Sequence, residues 1–441
     1  MQSETTLSIG FDDTDSPKGM CTTYLGFQLV NLLRNENVDF LDFPRLIRFN
    51  PNIPWKTRGN GAVGLKIKTS KPELIKQKVI ELIKKNSEVK NGANPAVVFY
   101  EHDKVSKPIK NFSKLALWKL IKRSYAKKFV EENNLDSFYI GNGQGLVGAI
   151  GVIGYDFNDN TLELLSYRQK SKFGSPREIS PSSVKSMQQK TFPYTFNSFD
   201  TEKNRVMITP HGPDPVFYGI RGDDPKSLLK ASKLIKTSEK LAGYLLFKSN
   251  QGTADHLTNE IDLEELLPYT SGTITGTISK KPTVGLGGHV FFTLSVKDKK
   301  IQCAVYKESG MTKIILELEQ GDKIKVGGGI RKATKNYSRI LNVEYVNVLK
   351  LIQKYQKINP YCKQCNKRMK SQGKNQGYRC IKCKSISKNK QIEPIKRQIK
   401  EQLYLPVISS QRHLTRPYQR QDMINKTKFD KSLPWFQNFT N

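Results

Sequence analysis

The sequence lacks long hydrophobic segments. No stretch of its 441 residues approaches the roughly 20 consecutive apolar residues that cross a bilayer. The first residues, MQSETTLSIGFDDTDS, do not have the basic segment followed by an apolar segment that marks a signal peptide. We therefore expect a cytoplasmic protein that does not contact a membrane.

Acidic residues are also scarce relative to basic ones. The chain has 40 Asp and Glu against 73 Lys and Arg, a formal net charge of +33, and only 37% of its residues are hydrophobic. A positive surplus of this size opposes self-association and attracts polyanions. Nucleic acid is the natural partner, because neutralising phosphates releases counterions. The alternative explanation is a solvated, lysine-rich surface.

Cysteine is scarce, and its spacing is informative. Four of the six cysteines form two C-x2-C pairs, Cys362 with Cys365 and Cys380 with Cys383. In a chain without an export signal, this pattern favours a metal site over a disulfide framework, which remains the alternative. Four thiolates surround Zn²⁺ tetrahedrally and leave no open position, so the predicted ion is structural. Its binding would supply folding energy to a segment too short to bury a core.

Three aspartates lie between a predicted strand at 7–11 and a predicted helix at 22–33. Asp12, Asp13 and Asp15 share one loop and repel each other unless a cation lies between them. Mg²⁺ takes one or two carboxylates together with phosphate oxygens, as in nucleotide-using enzymes. A calcium loop or an acidic surface turn is the alternative, although EF-hand spacing is absent.

A basic segment at 45–61 mixes cations with turn-forming residues. Arg45, Arg48, Lys56 and Arg58 are candidates for phosphate contacts. A basic surface loop is the alternative explanation.

A second candidate for phosphate binding is the G-x-G-x-x-G match of Gly143, Gly145 and Gly148. Backbone amides that open a helix can surround phosphate, but a single match is weak, and a packing loop explains it equally well. Arg168, after a predicted strand, is a further phosphate candidate. A salt bridge is its alternative role.

Two loops place a histidine and an aspartate where a small cationic ligand would meet a carboxylate. They contain His211 with Asp214, and Asp255 with His256. Ordinary turn chemistry accounts for the Gly-Pro-Asp-Pro segment as well.

Hydrophobic periodicity predicts several folding units. Residues 61–103 and 204–248 each show strands with a helix, and two such halves form a ferredoxin-like domain. The stretch 111–195 would return to the first domain with a helix at 113–132. Five short strand-like runs within 268–350 predict a Greek-key barrel of the OB type. From residue 384 onward, twelve Lys and Arg against four Asp and Glu make a basic tail, which either contacts nucleic acid or is disordered.

These motifs together resemble one family. IGFDDTDSPKGMCTTYLG, RFNPNIPWKTRGNGAV, YIGNGQGLVGAIGVIG, ITPHGPDPVFYGIRG and the four-cysteine ribbon occur in the order typical of the archaeal tRNA(Ile) 2-agmatinylcytidine synthetase family. The resemblance implies a multidomain α+β fold, in which a kinase-like α/β catalytic domain is interleaved with a ferredoxin-like domain and followed by an OB-fold β-barrel and a zinc ribbon. The predicted ranges are 1–60 and 104–200 for the catalytic domain, 61–103 and 201–262 for the ferredoxin-like domain, 263–352 for the OB-fold, 358–386 for the ribbon and 387–441 for the tail.

The resemblance also implies a reaction. The family attaches agmatine to C2 of the wobble cytidine of a tRNA(Ile) with a CAU anticodon, with ATP cleaved to AMP and phosphates, and so enables AUA decoding. By resemblance, Asp12, Asp13 and Asp15 hold Mg²⁺ and ATP, Thr22 matches the residue that is phosphorylated in the family, and Lys56 and Arg58 neutralise the transferred phosphoryl group. Gly143, Gly145 and Arg168 are further expected ATP contacts. Asp214 and Asp255 are expected to bind the dicationic agmatine.

Three other functions are alternatives to this expectation. A lysidine-type synthetase would carry an SGGxDS-like loop, which the sequence does not contain. A non-enzymatic OB-fold and zinc-ribbon protein that binds nucleic acid explains 268–441 but gives the acidic loop no role. A simple RNA kinase would turn over ATP without depending on agmatine.

Overall fold

The computed structural model describes residues 4–335 and 338–440. Residues 1–3, 336–337 and 441 fall within the predicted domain ranges and lie outside the described residues. Among the described helices, none is long and apolar enough to cross a membrane. The two largest sheets contain eleven and six strands.

The amino-terminal half of the eleven-stranded sheet carries the acidic loop. Its elements are β1 Thr5–Asp12, α1 Thr22–Leu33, β2 Asp39–Phe40, β3 Arg45–Arg48, β4 Gly61–Thr69, α2 Pro72–Asn86, β5 Ala96–Tyr100, α3 Lys107–Trp118, α4 Arg123–Glu132, β6 Asp136–Tyr139 and α5 Leu146–Gly154. The strand β1 pairs antiparallel with β4 on one edge and with β5 on the other. Side chains alternate between the faces of a strand, so Leu7 and Ile9 pack in the core cluster that contains residues of α1 and α2. On the other face, α3, α4 and α5 pack around Ala96 and Val98.

The carboxyl-terminal half of the same sheet follows directly. Its elements are β7 Thr161–Arg168, α6 Pro181–Thr191, β8 Thr195–Phe196, β9 Phe199–Asp200, β10 Arg205–Val206, β11 Val216–Gly222, α7 Pro225–Leu234 and β12 Leu241–Ser249. The strand β7 lies between β11 and β12, antiparallel to both. The helix α7 begins where Asp224 accepts a hydrogen bond from the backbone N–H of Ser227, a standard N-cap that is followed by Pro225 at the first helical position. The two halves join where β12 pairs parallel with β3.

These pairings differ from the predicted grouping of segments. The strands of 61–103 occupy both edges of β1, so this segment completes the sheet around the acidic loop and does not pair with 201–262. The strand β7, predicted with the catalytic segment 104–200, pairs with β11 and β12 instead. The helix predicted at 113–132 is instead two helices, α3 and α4, and Ile121 in the connection packs against two core clusters.

The predicted OB-fold is confirmed. Its elements are β13 Ser271–Val284, β14 Val290–Val296, β15 Lys299–Val305, α8 Thr312–Ile315, β16 Lys323–Arg331 and β17 Ile340–Lys350. The strand β13 pairs with β14 and β16, and the barrel closes because β17 pairs antiparallel with β16 and parallel with β15. Closure leaves an apolar interior that includes Ile274, Leu294 and Val326.

The last part of the chain forms the ribbon and then returns to the large sheet. Its strands are β18 Lys354–Ile358, β19 Lys370–Ser371, β20 Tyr378–Arg379, β21 Ile386–Ser387, β22 Gln391–Ile395, β23 Leu403–Tyr404 and β24 Phe436–Asn438. The tail pairs β23 with β17 of the barrel and β24 with β12 of the large sheet. Trp435 is buried against Phe40 and Phe429. The disordered alternative for the tail is therefore wrong over its described residues.

Candidate active site

The three loop aspartates lie at the end of β1 in one cleft of about 750 Å³. Asp12 Oδ1 accepts the backbone N–H of Asp13 at 2.7 Å, and Asp13 Oδ2 accepts the backbone N–H of Asn94 at 3.2 Å. Burial raises the pKa of Asp12 well above its usual value, and the Asp13 charge adds to this rise. Burial also raises the pKa of Asp13 to about 6 and raises the pKa of Asp15, although the Arg58 charge opposes the rise at Asp15. Carboxylates in this arrangement favour their charged forms when a cation lies between them.

The glycines of the G-x-G-x-x-G match allow α5 to approach Asp12. A Cβ on Gly148 would lie 2.6 Å from Asp12 Cγ, and one on Gly145 would lie 2.6 Å from the Asp12 carbonyl oxygen. Cβ atoms essentially never pack that closely, so a side chain at Gly145 would clash with backbone and one at Gly148 would displace the Asp12 carboxylate. Among the described residues that line the cleft, Gly148 is present, whereas Gly143 and Gly145 are not. The packing interpretation therefore fits Gly143 and Gly145 better than the predicted phosphate contact.

Thr22 begins α1 beside the acidic loop. Its hydroxyl accepts a hydrogen bond from Thr14 Oγ1 at 3.1 Å and lies 3.5 Å from Asp15 Oδ1. The preceding residue, Cys21, also lines the cleft, and burial raises the pKa of its thiol to about 11, with the charges of Asp15 and Asp214 adding to the rise. At neutral pH this thiol stays protonated and is a poor nucleophile. The hydroxyls of Thr22 and Thr57, which both hydrogen-bond to Asp15, are the nucleophilic groups at this end of the cleft.

Arg58 links the acidic loop to the carboxylate of Asp214. Its guanidinium donates hydrogen bonds to Asp15 and, at 2.9 Å, to the Met20 carbonyl oxygen. Its Nε lies 3.7 Å from Asp214 Oδ2. Lys56 also lines the cleft but is exposed, and its Nζ donates to the Ile53 carbonyl oxygen at 3.2 Å. The structure thus brings both predicted phosphate-binding cations into the cleft of the aspartates.

Asp214 is a buried carboxylate that also lines the cleft. Arg177 Nη2 lies 3.3 Å from its Oδ1, whereas its Oδ2 has no hydrogen-bond partner among the described residues. Burial raises the pKa of Asp214, and the charges of Arg58 and Arg177 oppose that rise. An acceptor of this kind suits a cationic or hydrogen-bond-donating ligand.

Besides Gly143 and Gly145, the predicted site residues Arg168 and Asp255 lie outside the cleft, and both have structural partners. Arg168 is fully buried and pairs with Glu239, its Nη2 lying 2.6 Å from Oε2, which fits the salt-bridge alternative better than the predicted ATP contact. Asp255 accepts a hydrogen bond from the hydroxyl of Tyr155. Because its carboxylate is buried and engaged there, the predicted contact between Asp255 and agmatine does not fit.

A second charged cluster, which the sequence did not suggest, lines the same cleft around Glu163 of β7. Arg221 Nε donates to Glu163 Oε1 at 3.3 Å, and Arg48 Nη2 lies 3.7 Å from Oε2. Gln251 also donates to this carboxylate. Pairing from three sides explains how a carboxylate that is only 3% exposed stays inside the cleft.

The tail adds residues to this cluster. Arg412 Nη1 donates to the Pro51 carbonyl oxygen at 3.1 Å, and His413 Nδ1 lies 2.7 Å from Arg221 Nη2. Both side chains line the cleft. The sequence suggests that the segment RHLTRPYQRQ, which contains both residues, contacts bases and phosphates of a nucleic acid, but no motif in it predicts a position in this cleft.

The four ribbon cysteines form a separate, compact cluster. The Sγ atoms of Cys362, Cys365, Cys380 and Cys383 all lie within 4.8 Å of one another, and no disulfide joins them. Four thiols at this spacing match the tetrahedral set that binds structural Zn²⁺. The predicted zinc ligands are therefore brought together.

Comparison with known proteins covers nearly the whole chain. Family models described as the TiaS TCKD domain, the TiaS FLD domain and the TiaS C-terminal zinc ribbon domain match residues 8–142, 143–256 and 359–399. A protein of Cenarchaeum symbiosum (strain A), named as the tRNA(Ile) 2-agmatinylcytidine synthetase TiaS, is 49% identical over 435 residues, which are 99% of this chain and 97% of that protein. A protein of the same name from Thermococcus sibiricus is 37% identical over 93% of this chain and 95% of that protein.

Solved structures agree with the sequence comparison. The crystal structure of a complex of TiaS with its isoleucine tRNA and ATP matches with a TM-score of 0.83 at 32% identity and covers 97% of this chain and 100% of that chain. The crystal structure of a complex of TiaS with the same tRNA, AMPCPP and agmatine matches with a TM-score of 0.81 at 29% identity and the same coverage. The likeness extends from the acidic loop to the ribbon, and the chain belongs to the tRNA(Ile) 2-agmatinylcytidine synthetase family.

Proposed function

We propose that this protein is an ATP-dependent ligase that attaches agmatine to C2 of the wobble cytidine in a tRNA(Ile) with a CAU anticodon. Its relatives bear the name of this activity, and one solved relative contains an isoleucine tRNA, an ATP analogue and agmatine. The observation that carries the proposal for this chain is the single cleft that contains Asp12, Asp13, Asp15, Thr22 and Arg58. It combines a cation site, a hydroxyl and a guanidinium, which are the groups that phosphoryl transfer uses.

The nucleotide end of the cleft is the acidic loop. We propose that Asp12, Asp13 and Asp15 bind Mg²⁺, which in turn binds the ATP phosphates. Burial raises the pKa values of the three carboxylates, and neighbouring carboxylates add to each rise. A divalent cation would offset both effects, which supports this assignment. Arg58, fixed by Asp15, and the exposed Lys56 side chain supply positive charge to the transferred phosphoryl group.

The chemistry requires an activated leaving group. The C2 oxygen of cytosine does not leave by itself, so transfer of the terminal phosphoryl group of ATP first forms an O–P bond at that oxygen. The bond from the transferred phosphorus to the bridging oxygen of ATP breaks, and ADP is the leaving group. The primary amine of agmatine then attacks C2, a C–N bond forms, and the C2–O bond breaks with its electron pair remaining on the departing phosphate. The nitrogen loses its proton to solvent. We propose that Thr22, whose hydroxyl lies 3.5 Å from Asp15 Oδ1, receives a second phosphoryl group from the same nucleotide, which leaves AMP, and that water then releases this group as phosphate.

Agmatine is dicationic and needs a buried acceptor. Asp214 is the candidate that remains, since its Oδ2 is buried without a hydrogen-bond partner among the described residues and the residue lines the cleft. The neighbouring Arg58 and Arg177 favour the charged form of the carboxylate, which attracts an ammonium or guanidinium group.

The barrel, the zinc-bound ribbon and the tail are the surfaces that we propose for tRNA. The ribbon is rich in Lys and Arg, and Arg368 lies over the ring of Tyr361, which suits contact with phosphates and bases. The target cytidine must leave the anticodon stack to enter the cleft. We place this activity in the cytoplasm, the compartment that the sequence predicts.

The decisive experiment is incubation of the protein with ATP, Mg²⁺, agmatine and a tRNA(Ile) transcript, followed by mass spectrometry of the anticodon nucleosides. The expected product is 2-agmatinylcytidine at the wobble position. A phosphorylated base that never takes up agmatine would favour the RNA kinase. An unchanged cytidine with tight tRNA binding would favour the non-enzymatic protein.

A variant of the acidic loop tests the nucleotide site. We expect Asp12→Ala to abolish ATP cleavage while tRNA binding stays nearly intact, since the barrel and ribbon are remote in sequence from β1. Asp12→Asn is the matched control for shape, because it keeps the packing against Gly148 and removes the charge, and it should be equally inactive. Full ATP turnover in either variant would refute the assigned role.

A further inference from the structure

A histidine of the C-terminal tail enters the proposed catalytic cleft and has no role in the steps above. His413 lines the cleft together with Asp15, Thr22 and Arg58. Its backbone is fixed, because the Gly252 N–H donates to the His413 carbonyl oxygen at 2.9 Å and the Ala254 N–H donates to that of Leu414 at 2.8 Å. The tail therefore presents this ring in one place.

Two arginines that follow His413 hold the tail in place. Arg416 Nη2 donates to Asp159 Oδ2 at 2.6 Å, and Arg420 Nη2 donates to Asp159 Oδ1 at 2.9 Å. Arg420 also donates to Asp223 at 2.8 Å. Removal of one partner from a buried charged network strongly destabilises the fold. The network therefore holds the segment that carries His413 in a fixed position.

The partners of His413 define which ring nitrogen carries the proton. Nδ1 lies 2.7 Å from Arg221 Nη2, and a guanidinium has only donors, so Nδ1 accepts and a neutral ring carries its hydrogen on Nε2. Gln251 Oε1 lies 3.0 Å from the same Nδ1 and could accept a hydrogen bond only if Nδ1 carried a hydrogen. Because the Arg221 guanidinium can only donate, we assign the hydrogen of the neutral ring to Nε2.

The surrounding charges keep the ring neutral. Burial, with the charges of Arg48 and Arg221, holds the pKa of His413 well below its ordinary value. The groups that face it come from four elements: Arg48 of β3, Glu163 of β7, Arg221 of β11, and Gln251 after β12. A neutral imidazole with a fixed tautomer is a hydrogen-bond donor, not an acid or base that titrates near pH 7.

The Nε2 edge of the ring lies beside the phosphate-binding loop. A Cβ on Gly59 would lie 3.0 Å from His413 Nε2, so the ring contacts the residue next to Arg58. The donor therefore faces the backbone of Gly59, which also lies beside the Arg48 guanidinium, in the cleft that contains Arg58.

We propose that His413 contacts the substrate directly, with its Nε2–H donating to the oxygen that joins C2 of the activated pyrimidine to phosphate. This inference rests on the proposed function. The hydrogen bond strengthens as the C2–O bond breaks and negative charge develops on the departing oxygen. No proton leaves the ring, so His413 is neutral before and after the step. Its contribution falls on the attack by agmatine and not on the transfer from ATP.

The test uses the full-length protein with ATP, Mg²⁺, agmatine and tRNA transcript, and compares His413→Ala, His413→Gln and His102→Ala. His102 is an exposed histidine that follows β5, at the end of β1 opposite to Asp12, and serves as the matched control. We expect His413→Ala to lower kcat for agmatine attachment about 100-fold, the size of effect seen when one such donor is removed. The KM for tRNA should change little, and the phosphorylated tRNA should accumulate.

Glutamine places an N–H near the position of Nε2, so His413→Gln should recover a substantial part of the rate. The pH dependence of kcat near pH 6.5 should be the same in the wild type and in His413→Ala, because His413 does not titrate there. Wild-type kcat in His413→Ala, no recovery in His413→Gln, or loss of a titration step near pH 6.5 in His413→Ala would each overturn the assignment. Thermal unfolding and tRNA binding of each variant separate these results from misfolding. Failure of the wild-type protein to form agmatinylcytidine would instead reject the proposed function itself.

Discussion

Arg420 of the tail donates its Nε hydrogen to Asp223 Oδ1 at 2.8 Å, although the two residues are 197 positions apart. The guanidinium is fully buried, and its Nη1 also donates to the Gly252 carbonyl oxygen. A charge in the interior is stable only when its donors are paired, as they are here. The end of the chain is therefore a structural part of the carboxyl-terminal half of the large sheet.

Loss of this pairing should release the tail. We expect Arg420→Ala to reduce the free energy of unfolding by about 3–5 kcal/mol, because it leaves buried carboxylates uncompensated. It should also reduce agmatine attachment, since His413 loses its anchor. Urea unfolding and limited proteolysis after residue 400 measure both effects.

The matched control for that variant is Lys431→Ala. Lys431 pairs with Asp39 at 2.5 Å, but both side chains are exposed, and solvent screens such a pair. This variant should unfold close to the wild-type midpoint. Equal stability of Arg420→Ala and the wild type would mean that the buried network does not hold the tail.

The contact between α5 and the acidic loop gives a second prediction. Gly148→Ala should displace the Asp12 carboxylate, because the new Cβ would lie 2.6 Å from Asp12 Cγ. We expect ATP turnover to fall at least about 10-fold, which corresponds to about 1.4 kcal/mol of lost transition-state stabilisation. Alanine has a higher helix propensity than glycine, which should limit any decrease in the free energy of unfolding.

A double variant decides whether this effect acts through Asp12. If the displaced carboxylate is the cause, Gly148→Ala combined with Asp12→Ala should be no less active than Asp12→Ala alone. Additive losses in turnover would place the effect of Gly148 elsewhere in the cleft.

Local signals in the sequence predicted individual elements well. The strand before the acidic loop, the helix Thr22–Leu33 and the five barrel strands all follow from periodicity and turn residues, which act over a few positions. The grouping of strands into domains did not follow, because pairing of β1 with both β4 and β5 depends on contacts between distant segments. Two β–α–β patterns can form two domains or one continuous sheet, and the pattern alone does not distinguish them.

The same limit applies to the cleft. The acidic loop was recognisable in the sequence because three carboxylates within four residues are costly without a partner. Arg168 and Asp255 have suitable chemical types, yet Glu239 and Tyr155 satisfy them inside the fold. His413 is 162 positions from Gln251, so no local pattern could indicate its position in the cleft.

The raised pKa of Asp13 predicts an unusual pH dependence. Its folded value of about 6 lies above the unfolded value of about 3.9, so without a cation the Asp13 contribution to stability is greatest below pH 4 and falls as pH rises to 6. The loss should be about 3 kcal/mol. We expect Mg²⁺ to reverse it above pH 6, because the cation favours the ionised carboxylate.

Unfolding of the metal-free and Mg²⁺-saturated protein between pH 4 and 7.5 tests this prediction. Asp13→Asn removes the titrating group and should flatten the difference between the two curves over that range. The opposite result would be a metal-free wild type that gains stability as pH rises from 4 to 6, together with an Asp13→Asn variant that does not. This result would show that the pKa of Asp13 is lowered and not raised.

The four-cysteine cluster predicts one zinc ion per chain. Cys380→Ser should abolish zinc retention, because three thiolates do not close the tetrahedral site, and it should unfold the ribbon, whose core is little more than Met369 and the cysteines. Metal analysis by mass spectrometry and tRNA binding measure the two consequences. The control is Cys21→Ser. Cys21 lies in the cleft and not in the cluster, so this variant should retain one zinc ion.

Zinc removal should weaken tRNA binding while ATP still binds, because the ribbon and the acidic loop are separate units. A parallel loss of ATP binding would show that the ribbon supports the fold of the large sheet.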